Sequence, residues 1–479
     1  IGITGHRDLV DVELPVLRAR IAELLDYMAR EFPVLPLKAL SSLAEGADRL
    51  FAEVALERGI PLVAVLPMPV AEYERDFSDP ASRARFHALL EQSEVMELAP
   101  PRGLPPADTE LGRQGRYAAA GVFIASHCQV LAALWDGKPP PQRGGTADIV
   151  SYRITGYLPG SDPDGIGPED LLADNENDLV YHIACSRAQP DGGPIAGRVP
   201  GEIGWLTDDP DEPRTSDLPF HYRNIFTHMQ SFAGECLQHH AAIAQHGRSL
   251  LENRPFPAAV EHVDELFATA DWLANIYQKR VRRSLRTLYT LGFFMGLAFV
   301  LYSDLYPARW VLWAFLALFA TGVYLHRQAD RGAWHRRYLD YRALAEGLRV
   351  QVYWSMAGLS SPGAGRFAHD VFLQKQDVEL SWIRHVMRNA AITADADPAG
   401  VRPRSPDGVE FAIREWIGSP DSGQIGYYAN RALQRSRRNV LTERVGRIAL
   451  CTGIGVAAVL AIVAARLPEM WHDILLFSV

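Results

Sequence analysis

The apolar positions of this chain change their period along its length. Short, nearly continuous apolar runs alternate with helical stripes at first, and uncharged runs of bilayer length appear only after Arg286. Ile1-Gly-Ile-Thr-Gly5-His-Arg7 reads as a buried strand ending in a glycine turn. Leu14, Leu17, Ile21, Leu24, Leu25 and Met28 then recur at the spacing of one helix face. Leu35 to Leu40 is expected to be a second strand that runs straight into Ser41-Ser-Leu-Ala-Glu45-Gly46-Ala-Asp48, followed by a helix over Arg49 to Arg58. Pro61 to Pro67 is apolar throughout, as in a strand covered on both faces. Tyr117 to His127 is predicted helical and Gln129 to Trp135 a further strand, after which a loop with Gly144 and Gly145 opens a helix at Thr146. Strands alternating with helices at these lengths predict an α/β fold with a Rossmann-like parallel sheet.

From Ser151 to Arg214 the texture shifts to short strands, Val180 to Ala184 and Gly201 to Leu206, between Asp, Pro and Gly clusters. Phe226 to Leu251 and Val260 to Arg286 read as helices. Arg331 to Met356 is a long amphipathic helix, Phe367 to Arg388 and Val409 to Trp416 are shorter helical candidates, and Ala391 to Asp407 is a linker with Pro and Asp.

Between these lie two uncharged runs, Thr287 to Ser303 and Trp310 to Leu325, joined by the six residues Asp304 to Arg309. As helices they span roughly 25 Å, just under the hydrocarbon core of about 30 Å, and snorkelling arginines and flanking aromatics close the gap. Tyr289, Tyr302, Tyr306, Trp310, Trp313 and Tyr324 stand near the ends as an interfacial belt would. The competing reading is a pair of buried core helices. Ile448 to Ala465 is a third uncharged run, so the chain is expected to continue into an all-α membrane domain with two or three transmembrane helices. Gly292 and Gly296 form GxxxG, and Ala449, Gly453, Ala457, Ala461 and Ala465 recur every four residues; these small faces predict close helix packing in a homo-oligomer.

Charge sharpens the picture locally. Across 479 residues the net charge is -9 and 48% of residues are hydrophobic, but fourteen Asp or Glu and only Arg187, Arg198 and Arg214 lie between Ser161 and Asp217. Such an acidic segment argues against nucleic acid as a partner. Lys279, Arg280, Arg282, Arg283 and Arg286 precede the first run, and Arg327, Arg331, Arg336 and Arg337 follow the second. By the positive-inside rule both outer ends of the hairpin face the cytoplasm, as does the start of the third run after Arg444 and Arg447. Cys128, Cys185, Cys236 and Cys451 show no paired spacing, which fits a reducing compartment and indicates neither a disulfide framework nor a zinc site. His221, His228, His239, His240 and His246 lack a carboxylate at ligand spacing, so surface histidines are favoured over a metal cluster.

Three loops are expected at the carboxyl edge of the sheet: Thr4-Gly5-His6-Arg7, Ser42 to Asp48, and Gly144-Gly145-Thr146. Glycines there let backbone N–H groups approach a phosphate, and a helix starting at Thr146 offers its positive end to an anion. ITGHR, SSLAEGADRL, YAAAGVFIASHCQVLAALWDGK and GGTADIV together resemble the SLOG superfamily, which includes the LOG phosphoribohydrolases, DprA and nucleotide-sensing domains of bacterial antiviral systems. The resemblance covers roughly residues 1 to 150, with looser support to about 250. The hairpin followed by YRALAEGLRVQVYW resembles the SLATT membrane effectors. This implies a nucleotide-binding domain over 1–250, linking helices over 251–286, a transmembrane hairpin over 287–325, a cytoplasmic helical region over 326–447, and a third span with its tail over 448–479.

By position, the resemblance implies a ligand site of Gly5, His6, Arg7, Ser42, Glu45, Gly46, Asp48, Asp136, Gly137, Lys138, Gly144, Gly145 and Thr146. Arg7 and Lys138 are the expected phosphate counter-charges, and Glu45 or Asp48 the acceptors for ribose hydroxyls. The implied ligand is a signal nucleotide, a cyclic oligonucleotide or an ADP-ribose derivative, made by a partner enzyme, with no cofactor or metal. The implied role is a pore-forming effector of antiphage defence in the bacterial inner membrane with its N-terminal domain in the cytoplasm. A departure bears on chemistry: LOG hydrolases carry a catalytic Glu where this chain has Ile149, which favours binding over hydrolysis. A membrane-tethered nucleotide or NAD hydrolase and a nucleotide-regulated channel stay as alternatives.

Overall fold

A computed structural model describes residues 1–100, 103–139, 145–156, 179–209, 211, 213–251, 258–305, 307–357, 380–396 and 406–463. The chain forms two compact units, one from Ile1–Thr269 with Ala343–Ser405, the other from Ala270–Arg342 with the chain from Pro406 onward.

The first unit is built on an eight-stranded sheet. Its strands are β1 (Gly2–Gly5), β2 (Ala39–Ser41), β3 (Leu62–Leu66), β4 (Ser93–Glu97), β5 (Leu131–Trp135), β6 (Val180–Ala184), β7 (Ile203–Leu206) and β8 (Arg214–Thr215). They lie in the order β4-β3-β2-β1-β5-β6-β7-β8. β4 to β6 run parallel, with Gly2 level with Leu40 on one side and Leu131 on the other, whereas β7 and β8 add antiparallel. The expected parallel sheet is therefore present, extended by an antiparallel edge.

Local chemistry explains the helices between strands. Helix α1 (Leu14–Glu31) starts with Pro15 in its first turn and buries Leu17, Ile21, Leu24, Leu25 and Met28, the stripe legible in the sequence. Helix α2 (Ala47–Glu57) follows β2, and α3 (Val70–Tyr73) follows β3. Asp79 caps α4 (Pro80–Leu90) by accepting from the N–H groups of Ala81 and Ser82, and Thr109 caps α5 (Glu110–His127) through Gly112. Helix α6 (Thr146–Thr155) ends on Gly156 in the left-handed region, with φ 71°. Ile124, Ala125, Ile149 and Val150 of α5 and α6 pack with Leu40, Val63, Val65, Leu131 and Ala133 in one core. Helices α7 (Phe220–His246) and α11 (Ser381–Ala396) belong to the same unit and meet through Phe232 and Trp382, ring centres 5.7 Å apart.

Several boundaries differ from the sequence pattern. β2 begins only at Ala39, because Pro36 has no N–H for a ladder and Leu35 to Lys38 stay partly or fully exposed. α3, α4 and β4 follow no stripe: α4 buries only Phe86 and Leu89, and β4 is an edge strand whose Glu94 and Glu97 face solvent. α5 starts at Glu110 instead of Tyr117. α11 runs on to Ala396, into the stretch expected as a linker, while Phe367 lies outside the described residues.

Helix α8 (Ala258–Val300) is continuous, so the expected linking helix and first span are one element, closed by a π-helical turn at Leu301–Leu305. Nothing between Val260 and Val300 forbids this; there is no proline, and glycine interrupts only at Gly292 and Gly296. Helices α9 (Arg309–Arg331) and α10 (Trp334–Met356) follow. Helix α12 (Pro406–Phe411) passes through a π turn at Ala412–Ile417 before α13 (Gly423–Val463), which carries the third uncharged run as far as Val463.

Among the described residues, α8 and the stretch from α9 onward hold windows long and apolar enough to cross a membrane, with 0% and 6% of each window buried. Tyr289 is 75% exposed, Phe293 68% and Trp313 71%. Core helices of a soluble domain would bury these rings within the chain, which this hairpin does not do.

Candidate functional site

After β1 the chain lays β2, β3 and β4 to one side and returns to add β5 and β6 on the other. The carboxyl ends of β1 and β5 thus border the point where strand order reverses, the crevice in which open α/β sheets hold ligands. Gly5, His6 and Arg7 leave β1 there, Ser42 to Asp48 leave β2, and Asp136 to Lys138 leave β5.

The β1 and β2 loops are packed backbone on backbone. Gly46 has φ 78° and ψ -120°, and a Cβ would stand 2.5 Å from the His6 carbonyl oxygen and closer still to that of Arg7. Only glycine fits there. The Ala47 N–H, first of α2, donates to His6 O at 3.1 Å, and a Cβ on Gly5 would meet Ala47 Cβ. Buried Leu43 also takes a positive φ, 56°, supported by its N–H donating to Ser41 Oγ at 3.1 Å and its carbonyl accepting from Arg49 Nε at 3.0 Å. Asp48 turns inward and accepts from the backbone of Ala44 and Ser42. Burial pushes its carboxyl up to about 7 while the Arg7 guanidinium and those two N–H groups pull the other way. Glu45 accepts from the Ser82 hydroxyl.

A wall from α3, α4 and α5 completes this flank. Arg7 lies 4.9 Å over the Tyr117 ring and makes no ion pair among the described residues. Tyr117 donates to Asp76, which also takes Arg113 Nε at 2.8 Å. Tyr73 is fully buried, its ring 6.2 Å from that of Tyr117, and its hydroxyl has no hydrogen-bond partner among the described residues. Burial raises its pKa, modulated by Arg7, Asp48, Asp76 and Arg49, which places it among these groups. Arg49 Nη2, on a guanidinium 4.3 Å over the Phe77 ring, and Arg116 Nε likewise lack partners. Buried donors left open in this way cost free energy unless something accepts from them.

The β5 side is closed on itself. His6 Nε2 accepts from the Asp136 N–H at 3.1 Å and lies 3.2 Å from Asp136 Oδ1. Burial lowers the His6 pKa and outweighs the charge and hydrogen bond of Asp136. Asp136 Oδ1 accepts from Lys138 N at 3.1 Å across Gly137, whose φ is 79°. Lys138 Nζ donates to Asp191 O at 2.7 Å. Gly145 is the N-cap of α6 and offers no side chain, while its carbonyl accepts from the Asp148 and Ile149 N–H groups at 3.0 and 3.2 Å. Gly144 lies outside the described residues.

The structure therefore gathers Arg7, Ser42, Glu45, Gly46 and Asp48 at one flank and His6, Asp136, Gly137 and Lys138 at the other, with Gly5 between. Tyr73, Asp76, Arg49, Arg113 and Arg116 were not singled out from the sequence. Arg113, Arg116 and Tyr117, spaced to share one helix face, were the available signal. Ile149 is 3% exposed and packs where Gly121 leaves room, so no carboxylate stands at that place. Among the described residues no three His, Cys, Asp or Glu side chains gather as a metal site. The chain matches no family model, no curated protein and no solved structure.

Proposed function

We propose that the protein is a membrane-anchored, nucleotide-gated effector. The sheet edge binds a signal nucleotide, a cyclic oligonucleotide or an ADP-ribose derivative made by a partner enzyme. Binding triggers an oligomer of the spans to permeabilise the bacterial inner membrane, in the antiphage role that the SLOG and SLATT resemblance implies. One observation carries the ligand half: at the carboxyl end of β1, beside the point where strand order reverses, the Arg7 guanidinium lies over the Tyr117 ring and makes no ion pair among the described residues. A phosphate on Arg7 and a base or ribose over Tyr117 suit that arrangement. The membrane half is supported by exposed aromatic and aliphatic faces on α8 and α9. Burial of Ile149 favours binding over N-glycosidic hydrolysis.

The test is titration of the full-length protein in detergent with these nucleotides, followed by dye release from liposomes carrying it. Saturable binding lost in Arg7→Ala, together with ligand-dependent release, is expected. Absence of binding sinks the sensor reading, and binding without release sinks the effector reading.

A further inference from the structure

An open groove of about 400 Å³ runs along the last part of α9, its lining, Phe319, Ala320, Val323, Tyr324, Arg327, Gln328 and Arg331, all carried by that one helix. Phe319, Val323, Arg327 and Arg331 are four residues apart, so they form one line along the helix. Chemistry along that line is graded. Phe319 is 52% exposed and Val323 is apolar; Tyr324, 61% exposed, accepts from Gln328 Nε2 at 3.0 Å; then come two guanidinium groups. Neither Arg327 nor Arg331 pairs with a carboxylate among the described residues, and Asp330, the sole acid of α9, does not line the groove. Phe319 and Arg327 are roughly 12 Å apart along the axis, enough to reach from the upper acyl region through the headgroup layer.

We propose that this face of α9 is a binding site for one anionic phospholipid of the cytoplasmic leaflet. Its phosphate sits on Arg327 and Arg331, its glycerol ester at Tyr324 and Gln328, and an acyl chain lies along Val323 and Phe319. Free phosphate has no use for the apolar floor, and a zwitterionic headgroup, with no net charge, offsets neither arginine charge, whereas an anionic one offsets one of them. The inference rests on the membrane reading given above, and goes beyond it by assigning a lipid class and a site.

The full-length protein is reconstituted with equal amounts of phosphatidylglycerol and phosphatidylcholine, extracted in mild detergent, and the lipid kept per chain is counted by mass spectrometry. Wild type is expected to keep phosphatidylglycerol in several-fold excess. Arg327→Gln with Arg331→Gln abolishes that excess, since each cation near an anionic surface contributes up to about a fivefold preference. Arg283→Gln with Arg286→Gln, the same charge lost from α8, leaves it intact, and Phe319→Ala lowers retention of the whole lipid. Equal retention of the two lipids, an equal loss in the α8 variant, or displacement by glycerol phosphate overturns the site. Recovery of the chain in the soluble fraction before extraction overturns the membrane reading itself.

Discussion

Asp48→Asn tests the electrostatics of the sheet edge directly. The carboxyl is buried, accepts from the backbone of Ser42 and Ala44, and is raised from 3.8 to about 7 because burial outweighs Arg7. A folded-state value above the unfolded one contributes stability that is complete below pH 3.8 and withdrawn as the pH rises through about 7. With about 1.4 kcal/mol per tenfold change in proton affinity, roughly 1.6 kcal/mol is withdrawn by pH 5 and roughly 4 kcal/mol above pH 8. Asparagine keeps the shape and an acceptor oxygen and never ionises. Relative to wild type, the variant should therefore gain about 3 kcal/mol more at pH 8.5 than at pH 5. Hydrogen exchange at the amides of β1, β2 and α2 in the full-length protein reads this, because comparing the two proteins at one pH cancels the intrinsic exchange rate. A difference that is the same at both pH values refutes the reasoning. The functional corollary is proton uptake: an anion held by Arg7 offsets the cation that opposes Asp48 protonation, so affinity for a phosphate-bearing ligand should fall as the pH rises through 7.

Arg7→Ala removes a charge-assisted contact worth about 2 kcal/mol and should weaken nucleotide binding by roughly thirtyfold in calorimetry with little change in melting temperature; unchanged affinity excludes Arg7 from the site. His182 Nε2 donates to Trp135 O and its Nδ1 accepts from Arg214 Nη1, both at 2.9 Å, and burial holds its pKa down at about 4. A depressed value means stability present above pH 6.5 and lost as the pH falls to about 4, by about 3 kcal/mol. Melting of His182→Gln against pH should be flatter than wild type in that window, and parallel curves refute the assignment. Gly46→Ala should destabilise by about 2 kcal/mol or more through its backbone angles and the His6 and Arg7 carbonyls; an unshifted denaturation midpoint would show that the loop yields.

The sequence made the sheet legible where burial is two-sided. β3, β5 and β6 are short apolar runs because water is excluded from both faces of these strands, and α1 carries a clean helical stripe because one of its faces is buried. β4 and α4 sit at the edge of the sheet and carry few apolar residues, so hydrophobic periodicity had nothing to report. Their signals are chemical instead: Asp79 before Pro80 is a cap and first turn, and Glu94 and Glu97 guard an edge. Continuity of α8 was hidden for the reverse reason. Composition changes sharply at Arg286 and Thr287, but the backbone responds to breakers and not to polarity, and no breaker stands there.

The site divides along the same physical line. Glycines that must approach another backbone, Gly5, Gly46 and Gly137, were recognisable because their role is local and steric. Lys138 was expected as a phosphate counter-charge, yet its ammonium donates to the Asp191 carbonyl, a partner 53 positions away that no local pattern reveals. Asp48, expected to meet ribose, spends its carboxyl on the loop that carries it. A carboxylate so engaged is poor at accepting from a ligand, but it fixes the backbone of Ser42 to Ala44 and sets a potential felt by Arg7. What remains open to a ligand is the group the loops frame: Arg7 and the Tyr117 face, backed by the buried Tyr73 ring. That set is cationic and aromatic with no free carboxylate among its members, which selects for a phosphate bearing a planar base over a neutral sugar. Discrimination between a mononucleotide and its parent nucleoside should therefore exceed discrimination between bases, and a titration with adenosine, AMP and GMP measures both.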